Sequence, residues 1–213
     1  TKLDRMLTLS DDKVEEIRSM LKIDSTKKTL LYAPSFYPTS IDRIHHFFPE
    51  LSKDHNVIIK LHGFSWEQKK YYYQNIICQE LAKGNQGIHL LSNEDYDIIP
   101  YYRIADILIT DISSTMFEFL PMNRPIIQVQ CYDLKLKHRV FKKRFWRKMD
   151  INRQKDVDFA YQISDPEDLL GRVYYAIDNM DEMSLKRIDA SRNYLYKTDG
   201  KASYRLVDAI ENY

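Results

Sequence analysis

The chain has 213 residues, 44% hydrophobic and 30% charged, enough apolar content for the core of one large domain and too much for a disordered chain. Its 32 Lys and Arg stand against 31 Asp and Glu, a net charge of +1, so no overall field draws it to nucleic acid or a membrane. No apolar run nears the roughly 20 residues that span a bilayer, and Cys78 and Cys131 lie far apart without metal-ligand spacing, as in reduced, buried thiols of a cytosolic protein.

The start, Thr1-Lys-Leu-Asp-Arg-Met6, has no signal-peptide character and no initiator Met, which reads as a piece excised from a longer protein. Asp11-Asp12 ahead of Val14, Ile17 and Leu21 predicts a capped amphipathic entry helix, so residues 1–28 are expected to be an entry helix and inter-domain linker. From residue 29 to residue 213 apolar, β-branched runs alternate with longer amphipathic ones, the pattern of βα units. Strands are expected at 29–33, 57–61, 87–91, 106–110, 125–129 and 157–161, nearly all apolar because both faces are covered. Helices are expected at 41–52, 66–83, 97–103, 114–120, 166–178, 183–196 and 202–211. The predicted fold is α/β: a Rossmann-like, three-layer parallel sheet with helices on both faces.

In such a sheet ligands bind beyond the carboxyl ends of the strands. After the first, Tyr32-Ala-Pro-Ser-Phe-Tyr-Pro38 is either a packed βα turn or a loop whose Ser35 donates to a phosphate. After the second, Ile59-Lys-Leu-His-Gly63 places Lys60 and His62 on one face by period-two alternation, a candidate phosphate clamp, with Gly63 allowing a sharp turn. After the third, Asp95-Tyr-Asp97 fits helix capping better than a divalent-metal pair. After the fourth, Thr110-Asp-Ile-Ser-Ser114 is either a Ser-capped helix start or a phosphate site at a helix N-terminus. There Asp111, Ser113 and Ser114 meet the ligand, and Glu118 one turn on is placed to accept from a ribose diol. Arg124, ahead of the fifth strand, orients its turn or pairs with a carboxylate.

No Walker loop, His-Glu-x-x-His pair, Cys-x-x-Cys or Gly-x-Gly-x-x-Gly occurs, and the chain has only five glycines. The reading is therefore phosphate held by Lys, His and Ser, with no metal, no dinucleotide cofactor and no nucleic-acid partner. One basic stretch, residues 135–148, carries Lys142, Lys143, Arg144, Arg147 and Lys148. Leu134, Phe141, Phe145 and Met149 fall near one face of a helix drawn through it. It is a solvated helix or loop packed by its aromatics, an anionic-membrane contact or a polymer contact.

Several of these strand ends resemble the C-terminal half of the bacterial CDP-glycerol glycerophosphotransferases, the teichoic-acid polymerase and primase family. The pieces are Leu31-Tyr-Ala-Pro-Ser35, Ile59-Lys-Leu-His62, Tyr96-Asp-Ile-Ile-Pro-Tyr-Tyr102, Ala105-Asp-Ile-Leu-Ile-Thr-Asp-Ile-Ser-Ser114, Arg124-Pro125 and Asp199-Gly-Lys-Ala-Ser203. The resemblance implies the C-terminal, donor-binding domain of a GT-B fold, transferring glycerol phosphate or a related polyol phosphate from a CDP-activated donor to a cell-wall or capsule polymer. It implies that Ser35, Lys60, His62, Asp111, Ser113 and Ser114 hold the donor phosphates, that His62 stabilises the departing nucleotide, and that Glu118 holds the ribose. Its expected partners are the nucleotide-activated donor, a lipid-linked polyanionic acceptor, and an N-terminal half bearing the catalytic base, which leaves this fragment inactive alone. The expected location is cytoplasmic, peripheral at the inner face of the cell membrane. Gly63 stands where the family often has Pro, and Ile112 where Tyr is frequent, so ribitol phosphate or a sugar stays open as the transferred group. The alternatives are a nucleotide-sugar GT-B glycosyltransferase and a non-catalytic nucleotide-binding module.

Overall fold

A computed structural model describes residues 2–148 and 157–212, except the side chains of Lys142, Arg144 and Lys148. Six strands, β1 (Lys28–Ala33), β2 (His55–Ile59), β3 (Ile88–Leu90), β4 (Ile107–Thr110), β5 (Ile126–Val129) and β6 (Tyr161–Ile163), form one parallel sheet in the order β3-β2-β1-β4-β5-β6. The chain enters through α1 (Asp4–Thr8) and α2 (Asp11–Met20). Helices α3 (Ile41–Ile44) and α4 (Phe48–Asp54), joined by a 3-10 turn, lead from β1 to β2; α5 (Phe64–Glu67) and α6 (Tyr73–Gly84) lead to β3. Then α7 (Ile99–Ile104) leads to β4 and α8 (Thr115–Glu118) to β5. Past β5 lie α9 (Leu136–Val140) and α10 (Lys142–Lys148), and past β6 lie α11 (Asp168–Asp178), α12 (Ser184–Leu195) and α13 (Ala202–Glu211).

Strand alternation splits the core into two layers, one on each side of the sheet. Leu31, Ile58, Leu108 and Ile126 face α1, α2 and α7; Leu30, Tyr32, Val57, Ile59 and Ile109 face α3, α4, α6 and α11. Nearly all of these side chains are fully buried, which is why the strands read as continuous apolar runs rather than alternating ones. The first 28 residues contribute to this core: Met6, Val14 and Ile17 are buried in the first layer. Ser10, just ahead of Asp11-Asp12, caps α2 by accepting from the Lys13 amide, and the two acids occupy the positive first turn. Gly87, ahead of β3, is required by close approach, since a Cβ there would lie 2.7 Å from the Ser52 carbonyl oxygen.

Two expected elements differ, and one open stretch is resolved. The sixth strand is Tyr161–Ile163 rather than 157–161, because Val157, Phe159 and Ala160 bury as irregular chain before pairing with β5 begins at Tyr161. The helix expected over 66–83 is interrupted: Gln68 is extended (ψ 117°), which brings Tyr71 under the Phe36 ring before α6 begins. The basic stretch over 135–148, open between helix and loop from its sequence, is two short helices with a break at Phe141 (φ −102°, ψ 43°). Phe141 points outward while Phe145 packs inward against His138 and Tyr37, so no single apolar face runs through the segment. Met149 lies outside the described residues.

Candidate functional site

Strand order reverses between β1 and β4, so the crevice of this sheet opens between the loops that follow them. The β1 loop, residues 34–40, and the β4 loop, residues 111–114, are tied together by Asp111. Its carboxylate is fully buried and accepts from the backbone N–H groups of Ser35 and Ser40, both at 3.2 Å, and from the Ser40 hydroxyl. Ser40 also meets the Tyr32 hydroxyl at 2.9 Å. Burial raises Asp111 to about 7, and the hydrogen bonds from Ser40 and Ser35 offset that only in part.

This corrects the expectation that Asp111 contacts the ligand. With no exposed surface and its oxygens engaged, it is a brace that fixes the β1 loop against β4. Ser35 is half-buried, and its hydroxyl donates to the Pro38 carbonyl, so toward a ligand it offers only a lone pair.

Lys60 and His62 flank buried Leu61 at the end of β2 and both reach out from the sheet, as the alternation predicts. Among the described residues Lys60 has no ion pair or hydrogen bond from its ammonium. Burial pulls its pKa down, with Asp95 pulling it back up. The His62 Nδ1 accepts from the Phe64 amide at 3.1 Å, which leaves the ring proton on Nε2 in the neutral form. Burial first, then the Lys60 charge, lowers the His62 pKa, so near pH 7 the ring is a neutral Nε2–H donor. Phe36 holds the ring at 4.8 Å between centroids and Phe64 at 5.0 Å. The chain does turn there, the Ser65 amide donating to the His62 carbonyl at 2.9 Å, but Gly63 has ordinary helical angles (φ −51°, ψ −38°) and space for a side chain, so the turn does not require glycine.

At the β4 loop, Ser113 is half-buried and Ser114 exposed. The Ser113 hydroxyl accepts from the Thr115 amide at 3.3 Å and the Thr115 hydroxyl at 3.0 Å, so it caps α8. The amides of Ser113 and Ser114 make no hydrogen bond among the described residues and remain free to bind an anion. Because α8 is a single turn, its dipole adds little to that capacity. Glu118, expected at a ribose, already accepts from Lys2, from the Tyr102 hydroxyl at 3.1 Å and from the Ser114 hydroxyl at 3.1 Å. A diol would have to displace one of these.

The other strand-end residues are structural. Asp97 accepts from the Ile99 amide at 3.1 Å and caps α7, while Asp95 closes its own turn onto Ser92. Arg124 donates to the carbonyls of Arg103 and Ala105, orienting its turn. Asp199 pairs with Arg205, and Asp4 accepts from the Ala202 and Ser203 amides, fastening α13 to the start of the chain. No group of three or more His, Cys, Asp or Glu among the described residues is arranged to hold a metal. Cys78 and Cys131 are free and buried, with burial raising the thiols to about 12 and about 11.

Two residues at the crevice escaped the sequence reading. Ser40 supplies Asp111 with two of its donors. Tyr132, beyond β5, has a buried hydroxyl with no hydrogen-bond partner among the described residues, close enough for Asp111 to raise its pKa after burial does. The basic segment also reaches the site: the Tyr37 hydroxyl contacts His138 Nδ1 at 2.5 Å and accepts from the Lys135 amide at 3.2 Å. Lys143 and Arg147 are exposed on α10. No helix among the described residues is long and apolar enough to cross a membrane.

Known proteins resemble the chain over most of its length. The chain is 24% identical to a teichoic acid poly(glycerol phosphate) polymerase of Staphylococcus epidermidis, over 92% of this chain and 26% of that protein. It is 28% identical to a teichoic acid ribitol-phosphate primase of Bacillus spizizenii, over 88% of this chain and 44% of that protein. The chain thus spans less than half the length of these relatives. A solved structure of the wall teichoic acid polymerase TagF matches 99% of this chain and 49% of its own, with a TM-score of 0.63 at 22% identity. A glycosyltransferase from Rickettsia africae matches 98% of this chain and 53% of its own, with a TM-score of 0.63 at 14% identity. These two likenesses establish the fold, the Rossmann-like unit of a GT-B architecture. The family model described as CDP-Glycerol:Poly(glycerophosphate) glycerophosphotransferase matches residues 2–212, and the chain belongs to that family.

Proposed function

We propose that this domain binds a CDP-activated polyol phosphate in the crevice between the β1 and β4 loops, and that the whole protein transfers the polyol phosphate to a wall-polymer acceptor. The observation that carries the reading is an unpaired Lys60 and a neutral Nε2–H of His62 at the end of β2, beside the strand-order reversal where free amides of Ser113 and Ser114 emerge. A diphosphate seated there meets one full cation, one ring donor and two backbone donors. As the bond to the polyol phosphate breaks, charge grows on the departing nucleotide. His62, fixed by its bond to Phe64, donates to that charge, which favours the transition state over the bound donor. The base that deprotonates the acceptor is assigned to another part of the whole protein, because His62 is committed to the leaving group. Glycerol and ribitol phosphate are both carried by the named relatives, and either fits this set of donors.

Thermal-shift titration of the chain tests the donor class. CDP-glycerol or CDP-ribitol is expected to raise the melting temperature more than CDP, with UDP-sugars and ADP nearly silent and EDTA without effect. A UDP-sugar preference would favour a glycosyltransferase instead, and loss of the shift in EDTA would place a metal at the site.

The membrane-facing part of this proposal rests on α9. Leu136, Val140 and Phe141 are strongly exposed on one side, flanked by Lys137, Arg139 and Lys143. Apolar side chains ringed by cations suit an anionic bilayer surface, at about 1 kcal/mol per well-placed cation. Phosphatidylglycerol vesicles at low salt are expected to sediment the chain, but not the triple variant Leu136→Ser, Val140→Ser, Phe141→Ser. Equal sedimentation of both would remove this surface from the account.

A further inference from the structure

Beside the crevice, linked to His62 through the Phe36 ring, two lysines share one aromatic platform. The Lys135 ammonium lies 4.8 Å from the Tyr37 ring centre and 4.7 Å from that of Tyr71, and the Lys70 ammonium lies 5.1 Å from Tyr71. The two ammoniums thus share the Tyr71 ring. Burial, and then the Lys70 charge, pull Lys135 down to about 8. Neither lysine has a carboxylate partner among the described residues, and the acid closest in sequence to Lys135, Asp133, is shared by Arg43 at 3.7 Å and Arg139 at 3.8 Å. Two like charges held together without a counter-charge lower their energy when an anion enters between them.

The surroundings say which anion. Tyr37 and Tyr71 are near-parallel, with centroids 6.4 Å apart at 28°; Tyr71 is buried and Tyr37 half-buried, so the rings hold the two ammoniums in place while both lysines stay exposed to a ligand. Phe36 contacts Tyr71 at 5.1 Å and His62 at 4.8 Å, so the cluster is one ring away from the proposed leaving-group donor. From Lys135 the positive charge runs outward along α9 and α10 through Lys137 and Lys143. We propose that Lys70, Lys135, Tyr37 and Tyr71 form a second anion site, which holds a phosphodiester of a polyol-phosphate chain, the acceptor polymer, close to the donor. The identity of the acceptor rests on the donor reading above; the existence of the anion site does not.

The test is fluorescence anisotropy of the chain with a labelled glycerol-phosphate oligomer, run beside calorimetric titration of CDP-glycerol and sedimentation with phosphatidylglycerol vesicles. The double variant Lys70→Gln, Lys135→Gln is expected to bind the oligomer about tenfold more weakly or worse. Lys69→Gln, next door on the surface, is expected to bind as the parent does, and CDP-glycerol affinity to stay within about twofold in both variants. Oligomer binding unchanged in the double variant, or absent from the parent, overturns the proposal. Loss of vesicle binding with oligomer binding intact also overturns it and makes the cluster a lipid-headgroup contact. If CDP-glycerol fails to bind the parent while oligomer binding still depends on the two lysines, the donor reading falls and the anion site stands.

Discussion

Replacing His62 with alanine in the full-length protein is expected to lower polyol-phosphate transfer from the CDP-activated donor by about 10²–10³-fold, while donor affinity falls by less than about tenfold. The split follows from the geometry. In the proposed site the ground-state diphosphate would have Lys60 and the Ser113 and Ser114 amides as partners, and the neutral His62 Nε2–H would add one hydrogen bond among several. In the transition state the departing nucleotide gains charge, and on the proposed reading His62 is the donor to it. Lys60→Ala is expected to do the reverse, weakening donor affinity more than the rate at saturation, because its charge acts on bound donor and transition state alike. Steady-state kinetics with varied donor separates the two. A His62→Ala enzyme that loses affinity but keeps its rate at saturation would make His62 a binding residue only.

The second large effect is expected at Asp111. Removing its carboxylate with Asp111→Ala strands the amides of Ser35 and Ser40 and the Ser40 hydroxyl in a buried place, a loss of about 2–4 kcal/mol in urea denaturation. Because burial raises Asp111 from 3.8 to about 7, the folded chain binds more protons than the unfolded chain between those values. Its contribution to stability is therefore fully present below about 3.8 and is lost as pH rises through about 7. Asp111→Asn, which cannot ionise, is expected to remove that slope, so the difference in stability between parent and variant changes between pH 5 and pH 8. A difference that stays constant across that range would mean that the carboxylate is already ionised at pH 5.

These two residues mark the reach of the sequence. Lys60 and His62 were legible because period-two alternation at a strand end is local: once β2 is placed, their shared face follows. Asp111 was found but misread. Its role is decided by Ser40, 71 residues away, which only the pairing of β1 with β4 brings beside it. The same distance in sequence hid the cluster at Tyr37, since Lys135 arrives from 98 residues along the chain. Glu118 was read as free because nothing local reveals that Lys2 and Tyr102 close on it.

The sheet itself was plain where both faces are buried, as in β1, β4 and β5, whose continuous apolar runs admit no other strand placement. It blurred at the edge. In β6, Tyr161 and Ile163 are buried and Gln162 is exposed, while the buried residues just before it, Phe159 and Ala160, mimic an earlier strand. The long helices between strands were overdrawn for a related reason. Hydrophobic period alone does not register that Gln68 breaks the helix so that Tyr71 can reach Phe36.

The central claim is the location of the donor. Backbone amide shifts of the isotope-labelled chain, recorded as CDP-glycerol is added, test it most directly. The account predicts that the largest saturating changes fall on the loops after β1, β2 and β4, with Lys60, His62, Ser113 and Ser114 among them, and that Lys60→Ala abolishes them at the same donor concentration. Changes concentrated instead in the groove between α6 and β3, lined by Ile76, Gln79, Lys83 and Leu90, would contradict it.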